Sequence, residues 1–204
     1  MQNGLTTISI RWAVGRLQGT FERSANELNE LDATIGDGDL GVTLARAGEA
    51  LARDLPNLPD DVGMALFRCA NTFSRASAGT YGTLLATGLM AAAKATKERT
   101  TVPWAEVSSL LAISLKAMAD RGKAQLGDKT VLDALEAARQ ATEGVDQPAE
   151  LVGAADRAIA AAIDRFRNLP FQQGRARIFG SQAIGRDDPG MVALKRIVEG
   201  LAEA

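Results

Sequence analysis

The chain has 204 residues, 46% hydrophobic and 24% charged, a balance that can bury one full core and excludes a disordered or fibrous chain. A formal net charge of -2 excludes the basic surplus of a general nucleic-acid binder. There is no histidine and one cysteine, Cys69, which excludes Ser-His-Asp and Cys-His catalysis, imidazole zinc sites and an internal disulfide.

Apolar residues at Ile10, Val14, Leu17, Phe21, Ala25 and Leu28 fall three and four apart and predict one stripe on a long first helix. A second helix is expected after Gly41, through Leu44 to about Arg53. Asp60 or Asp61 can cap a third, which carries Met64, Leu66 and Phe67. The fourth follows Gly82, rich in Leu and Ala, and runs to about Lys97. Pro103 fits the first turn of a fifth, with Glu106 near its positive end and a stop near Gly122.

Thr130 followed by Asp133 reads as an N-cap with an acidic partner, opening a sixth helix through Leu135. Pro148 opens a seventh, with Leu151, Ala155, Ile159 and Ile163 on one face. Asp188-Pro189 is an N-cap plus N1 proline for an eighth that ends around Glu199 or Gly200. No segment sustains period-two alternation, so no sheet is expected. The prediction is one all-α domain over 1–204, about eight helices in an antiparallel bundle closed on itself, without repeat or linker. The longest apolar run, Leu84 to Ala93, is well short of the roughly 20 residues that span a bilayer, and no secretory signal opens the chain. The expected compartment is the cytoplasm, with no membrane and no nucleic-acid partner.

Glycine-rich and acidic residues gather between helices four times. In the first loop, Leu31 to Gly41, the carboxylates of Asp32, Asp37 and Asp39 lie within eight residues, and Gly36 and Gly38 let the backbone turn sharply. Such oxygens suit a hard cation such as Mg²⁺, although acidic Asp-Gly turns are also common as plain solvated turns. A calcium EF-hand fails on register: the twelfth position is Thr43 counted from Asp32 and Gly48 counted from Asp37, and neither is the closing Glu.

The second loop, Ser74 to Gly82, puts small and hydroxyl residues before a helix N-terminus, where free N–H groups favour an anion. It contains no Walker pattern, and alone it reads equally as a Ser/Gly turn. The third, Arg121 to Asp133, is a helix–helix connection with a capping box. The fourth runs from Gly174-Arg175-Ala176-Arg177 to Ile184-Gly185-Arg186-Asp187-Asp188-Pro189-Gly190; an arginine on a glycine turn suits phosphate, and a solvated loop arginine is the alternative.

Taken in this order, Asp32-x-x-x-Gly36-Asp37-Gly38-Asp39-x-Gly41, Ser77 with Tyr81-Gly82, Gly127-Asp128-Lys129-Thr130-x-Leu132-Asp133, and Gly174-Arg175-Ala176 with Asp188-Pro189-Gly190 resemble the L subunit of dihydroxyacetone kinases. The likeness runs from about Leu31 to Leu201. It implies a barrel of eight antiparallel helices with a nucleotide, ATP or ADP, held by the loops at one end. It also implies two Mg²⁺ ions on Asp32, Asp37 and Asp39, and phosphate contacts at Leu40, Gly41, Val42, Thr43, Ala76 and Ser77. Gly122, Thr130 and Val131 match positions near the adenosine. Arg175 with Asp188, Pro189 and Gly190 matches the rest of the pocket.

The chain departs from the family pattern where Leu40 replaces a common His, Thr43 an Asn and Val131 a Met, and where Ser74-Arg75 replaces a glycine pair. Such changes suit a paralogue acting on another small ketose, such as erythrulose. The resemblance further implies that the ketose is carried by a separate K-type subunit through a histidine, and that this chain, expected as a homodimer, positions the γ-phosphate with metal and Arg175 as its one catalytic side chain. ATP that exchanges freely, or ADP retained and rephosphorylated by a phosphotransferase-system protein, are both consistent with the pattern. So is a nucleotide-binding regulator without turnover.

Overall fold

The computed structural model describes residues 4–77 and 79–202, without the side chains of residues 175, 180 and 182. Eight α-helices are present among the described residues: α1 Thr7–Ala33, α2 Leu40–Asp54, α3 Val62–Ala76, α4 Thr80–Ala95, α5 Val107–Gly122, α6 Val131–Ala141, α7 Pro148–Arg167 and α8 Pro189–Ala202. Each packs against the next along the chain, and α8 returns to α1, which closes the ring as the sequence predicts. None is long and apolar enough to cross a membrane.

The caps are set locally. The Thr6 and Ser9 side chains form a reciprocal capping box at α1, and Asp61 Oδ1 accepts the N–H of Met64 at 2.6 Å to start α3. Thr130 and Asp133 form a second capping box at α6. Inside the ring Phe21, Leu28, Leu44, Val62, Met118, Leu132, Ile159 and Met191 are almost fully buried and draw on most of the helices.

Four local expectations are corrected. Two-residue strands, β1 Gly4–Leu5 and β2 Val102–Pro103, pair antiparallel with Gly4 opposite Pro103; this small sheet is too short to show a period in sequence. Pro103 therefore lies in β2, where a proline that donates no hydrogen bond is tolerated at an edge, and a 3-10 turn at Trp104–Glu106 precedes α5. Gly41 and Gly82 lie inside α2 and α4 instead of preceding them. Both are glycines because of close approach: a Cβ on Gly41 would stand 1.9 Å from the Ala25 carbonyl oxygen, and one on Gly82 2.3 Å from Ser77 Oγ. The last difference is a 3-10 segment, Arg175–Ala183, between α7 and α8.

An up-and-down ring sorts its connections. The α1–α2, α3–α4, α5–α6 and α7–α8 loops share one end, and they are the four glycine-rich and acidic loops. The same alternation points the N-termini of α2, α4, α6 and α8 to that end.

Close packing elsewhere leaves little slack. A Cβ on Gly63 would meet the Ala93 carbonyl oxygen and the Lys97 backbone at 2.6 Å. Gly63→Ala should therefore destabilise the barrel by about 2 kcal/mol, lowering the thermal midpoint by roughly 4–8 °C in a calorimetric scan.

Candidate functional site

The acidic loop is built around Asp32 on the last turn of α1. Asp32 Oδ2 accepts the N–H of Gly38 at 2.9 Å and of Asp39 at 3.1 Å, which folds the turn back onto the helix. A Cβ on Gly36 would fall 2.3 Å from Asp32 Oδ1, and Gly38 has φ +76, so neither position tolerates an ordinary side chain. Ile35 is buried beneath the turn. The outcome is that Asp32, Asp37 and Asp39 each offer an oxygen, and these oxygens lie within 4.8 Å of one another. Hard oxygen donors at this spacing, two of them exposed, fit a divalent cation such as Mg²⁺.

These carboxylates border a cavity of about 640 Å³, within the range of small-molecule sites. Leu40, Thr43, Gly79, Tyr81, Gly122, Thr130, Val131, Asp188, Pro189 and Gly190 also line it, so every one of the four loop regions contributes. Residues of the first turns of α2, α4, α6 and α8 reach the lining, so four positive helix ends are directed at one space. At the α4 end the N-cap is Gly79, with φ +106, which has no side chain to cap the helix.

Other expected residues stand elsewhere. The N–H groups of Gly41 and Val42 donate to Asn29 Oδ1 at 2.8 and 3.2 Å, which caps α2 from a neighbouring helix. Ser77 is buried and its hydroxyl donates to the Phe73 carbonyl; Ala76 faces a different surface cleft, with Arg53 and Arg68. The Arg175 side chain lies outside the described residues. Ser74 and Arg75, the replaced glycine pair, are exposed on the last turn of α3.

Several lining residues had not been assigned to the pocket from sequence. Leu84 and Met118 form apolar wall, and Phe171, Gln173, Gly174 and Ala176 come from the α7–α8 connection. Phe171, Ala176 and Ala183 make a small core of their own with Ile35, and Arg186 Nη1 donates to the Thr34 carbonyl at 3.1 Å. The connection is thereby fastened to the acidic turn. Apolar spacing alone signals burial for such residues; only the fold says that they face the pocket.

Charge within the pocket is uneven. Burial pushes the Asp188 carboxyl up to about 7, against the pull of its N-cap bond from the Met191 N–H (2.8 Å) and of the Lys129 charge. Burial also raises Asp133, although its oxygens accept the N–H groups of Gly127 and Thr130 at 2.6 and 2.8 Å. The Tyr81 hydroxyl is buried with no hydrogen-bond partner among the described residues, and burial together with the Asp188 charge raises its pKa.

Residues 34–203 match the family model described as the DAK2 domain. The chain is 30% identical over 201 residues to the PEP-dependent dihydroxyacetone kinase ADP-binding subunit DhaL of Escherichia coli K12, covering 96% of this chain and 95% of that protein. It is 34% identical over 195 residues to human triokinase/FMN cyclase, covering 92% of this chain but 33% of that one, so it spans about a third of such longer relatives. Among solved structures, it is similar to the dihydroxyacetone kinase of C. freundii in complex with AMP-PNP and Mg²⁺, with TM-score 0.75, 26% identity, and coverage of 99% of this chain and 34% of that one.

A carboxyl whose pKa rises on folding weakens the fold as pH climbs: the folded state keeps a proton that the unfolded chain releases, from the unfolded value near 3.8 up to about 7. Asp188→Asn retains the N-cap and removes this ionisation. It should melt a few degrees above the parent at pH 8, with the gap closing as pH is lowered toward 4; a gap independent of pH would contradict the assignment.

Proposed function

The chain belongs to the DAK2 domain family, and we propose that it is the nucleotide-binding subunit of a dihydroxyacetone-type kinase. It holds Mg-ATP or Mg-ADP in the 640 Å³ cavity and presents the terminal phosphate to a small ketose carried by a separate K-type protein. The observation that supports this best is the convergence of the Asp32, Asp37 and Asp39 oxygens at the edge of a space faced by four helix N-termini. The proposal takes the chain as one domain over 1–204 that works as a homodimer.

In this proposal Asp32, Asp37 and Asp39 hold two Mg²⁺ ions. When bound, these ions supply positive charge to the phosphate oxygens. Asp32 also shapes the turn through its two backbone bonds, so it both orients the other carboxylates and offers one of its own oxygens. The positive ends of α2, α4, α6 and α8 favour the anionic part of the ligand. Leu84, Met118, Val131 and Leu132 give an apolar wall for the base, and Gly122, Thr130 and the Asp188-Pro189-Gly190 turn border the same space. Gly41 and Val42 act by shape and close packing, since their N–H groups are engaged by Asn29. Leu40 and Thr43 wall the phosphate end, with Ala76 and Ser77 setting the α3–α4 turn behind it. Arg175, assigned through the family pattern, offsets charge that develops on the transferred phosphoryl group. No group of this chain then needs to become covalently attached to substrate.

A second version keeps ADP bound and has it rephosphorylated by a phosphotransferase-system protein. It is favoured by the E. coli relative, matched over 95% of its length, which is named an ADP-binding subunit.

The assignment is tested at its carboxylates. Asp37→Asn or Asp39→Asn should weaken Mg-dependent nucleotide binding roughly a hundredfold or more, with the helical circular dichroism unchanged; parental affinity in calorimetric titration would refute the metal role. For Arg175→Ala, the expected result is about tenfold weaker binding or slower phosphoryl transfer, and unaltered kinetics would remove that residue from the site.

A further inference from the structure

Lys129 has entered so far only as a charge near Asp188, yet its placement is costly. It adopts φ +61, a conformation uncommon for residues other than glycine, and only 1% of its surface is exposed. A buried ammonium must be well bonded to be tolerated. Lys129 Nζ donates to the carbonyl oxygens of Arg167 and Leu169, both at 2.9 Å, and lies 4.1 Å from the centre of the Phe171 ring. The Arg167 carbonyl belongs to the last residue of α7, at the negative end of that helix, where carbonyls lack helical partners. Beside it, the N–H of Gln172 donates to the Asp128 carbonyl at 3.1 Å. One side chain on the α5–α6 loop thus closes the end of α7 and sits against Phe171, the residue that roots the α7–α8 connection in its small core with Ile35.

We propose that Lys129 is a positioning residue: a buried cationic latch that ties the α7–α8 connection, one wall of the cavity, to the α5–α6 loop, an adjoining wall. The inference rests on the nucleotide assignment above. The latch holds both walls in place before the nucleotide arrives and slows its departure, because the cavity cannot open on that side without stripping two carbonyls and an aromatic face from a buried charge. A methionine would match the length of the stem but strip the Leu169 carbonyl of its ammonium partner and leave the Arg167 carbonyl with the Gly185 N–H alone. Burial draws the Lys129 pKa below its ordinary value, while the Asp188 and Asp187 charges favour its protonated form.

The test is Lys129→Met, read two ways against the parent. In nucleotide-free protein, hydrogen exchange at residues 171–176 should accelerate roughly tenfold or more relative to the rest of the barrel. With Mg²⁺ and N-methylanthraniloyl-ADP, the dissociation rate in stopped flow should rise by a similar factor. A lower melting temperature with unchanged relative exchange in 171–176 and an unchanged dissociation rate would show an ordinary core residue and overturn the proposal. Should Lys129→Met fail to fold, Phe171→Leu keeps an apolar side chain in the small core but removes the ring from the ammonium; exchange in 171–176 should again accelerate, and parental exchange would overturn the latch. If the parent itself does not bind the Mg-nucleotide probe, the nucleotide assignment falls, and the exchange measurement still decides on the latch.

Discussion

Three carboxylate oxygens within 4.8 Å of one another repel, and the structure invests in keeping them there. Like charges held this close disfavour one another, so the arrangement favours a cation that neutralises it. The turn is held by forces independent of any metal: Asp32 binds two backbone N–H groups, Gly36 leaves room for its carboxylate, and Ile35 anchors the loop in a small core. Preorganised acidic oxygens are what the rest of the site is arranged around.

Helix alternation then does the wider work. Eight helices in an up-and-down ring leave four connections at one end and three at the other, and the four carry the residues that line the cavity. The N-termini of α2, α4, α6 and α8 open at that end, as do the C-termini of the other four helices. The proposed cation and anion sites draw on this mixture: the acidic cluster adjoins the C-terminus of α1, while N-terminal turns face the cavity. At the C-terminus of α7 the protein supplies its own cation, Lys129.

Much of this was legible in the sequence because the signals are local. Caps at Asp61, Thr130 and Asp188 announce helix starts through bonds to N–H groups two or three residues on, and the Asp-Gly turn shows its carboxylates within one loop. The rest depends on distant partners. The β1–β2 pairing joins two-residue segments nearly a hundred positions apart. Asn29 reads as an exposed helix residue until α2 is placed beside it. Gly41 and Gly82 look like loop glycines that precede helices, but they lie inside the first turns and are glycines because Ala25 and Ser77 press on them. Phe171 and Met118 carry only a hydrophobic signal, which cannot tell pocket wall from core. Lys129 sits in a recognisable motif, yet its role appears only when the end of α7 comes within reach of its ammonium.

The most direct test is a crystal grown with ADP and Mn²⁺, read by anomalous scattering. A manganese peak among the Asp32, Asp37 and Asp39 oxygens, with phosphate oxygens of ADP completing its shell, is the predicted result. Nucleotide bound in the cavity with no metal at the three carboxylates, or metal there with the nucleotide seated elsewhere, would contradict the account.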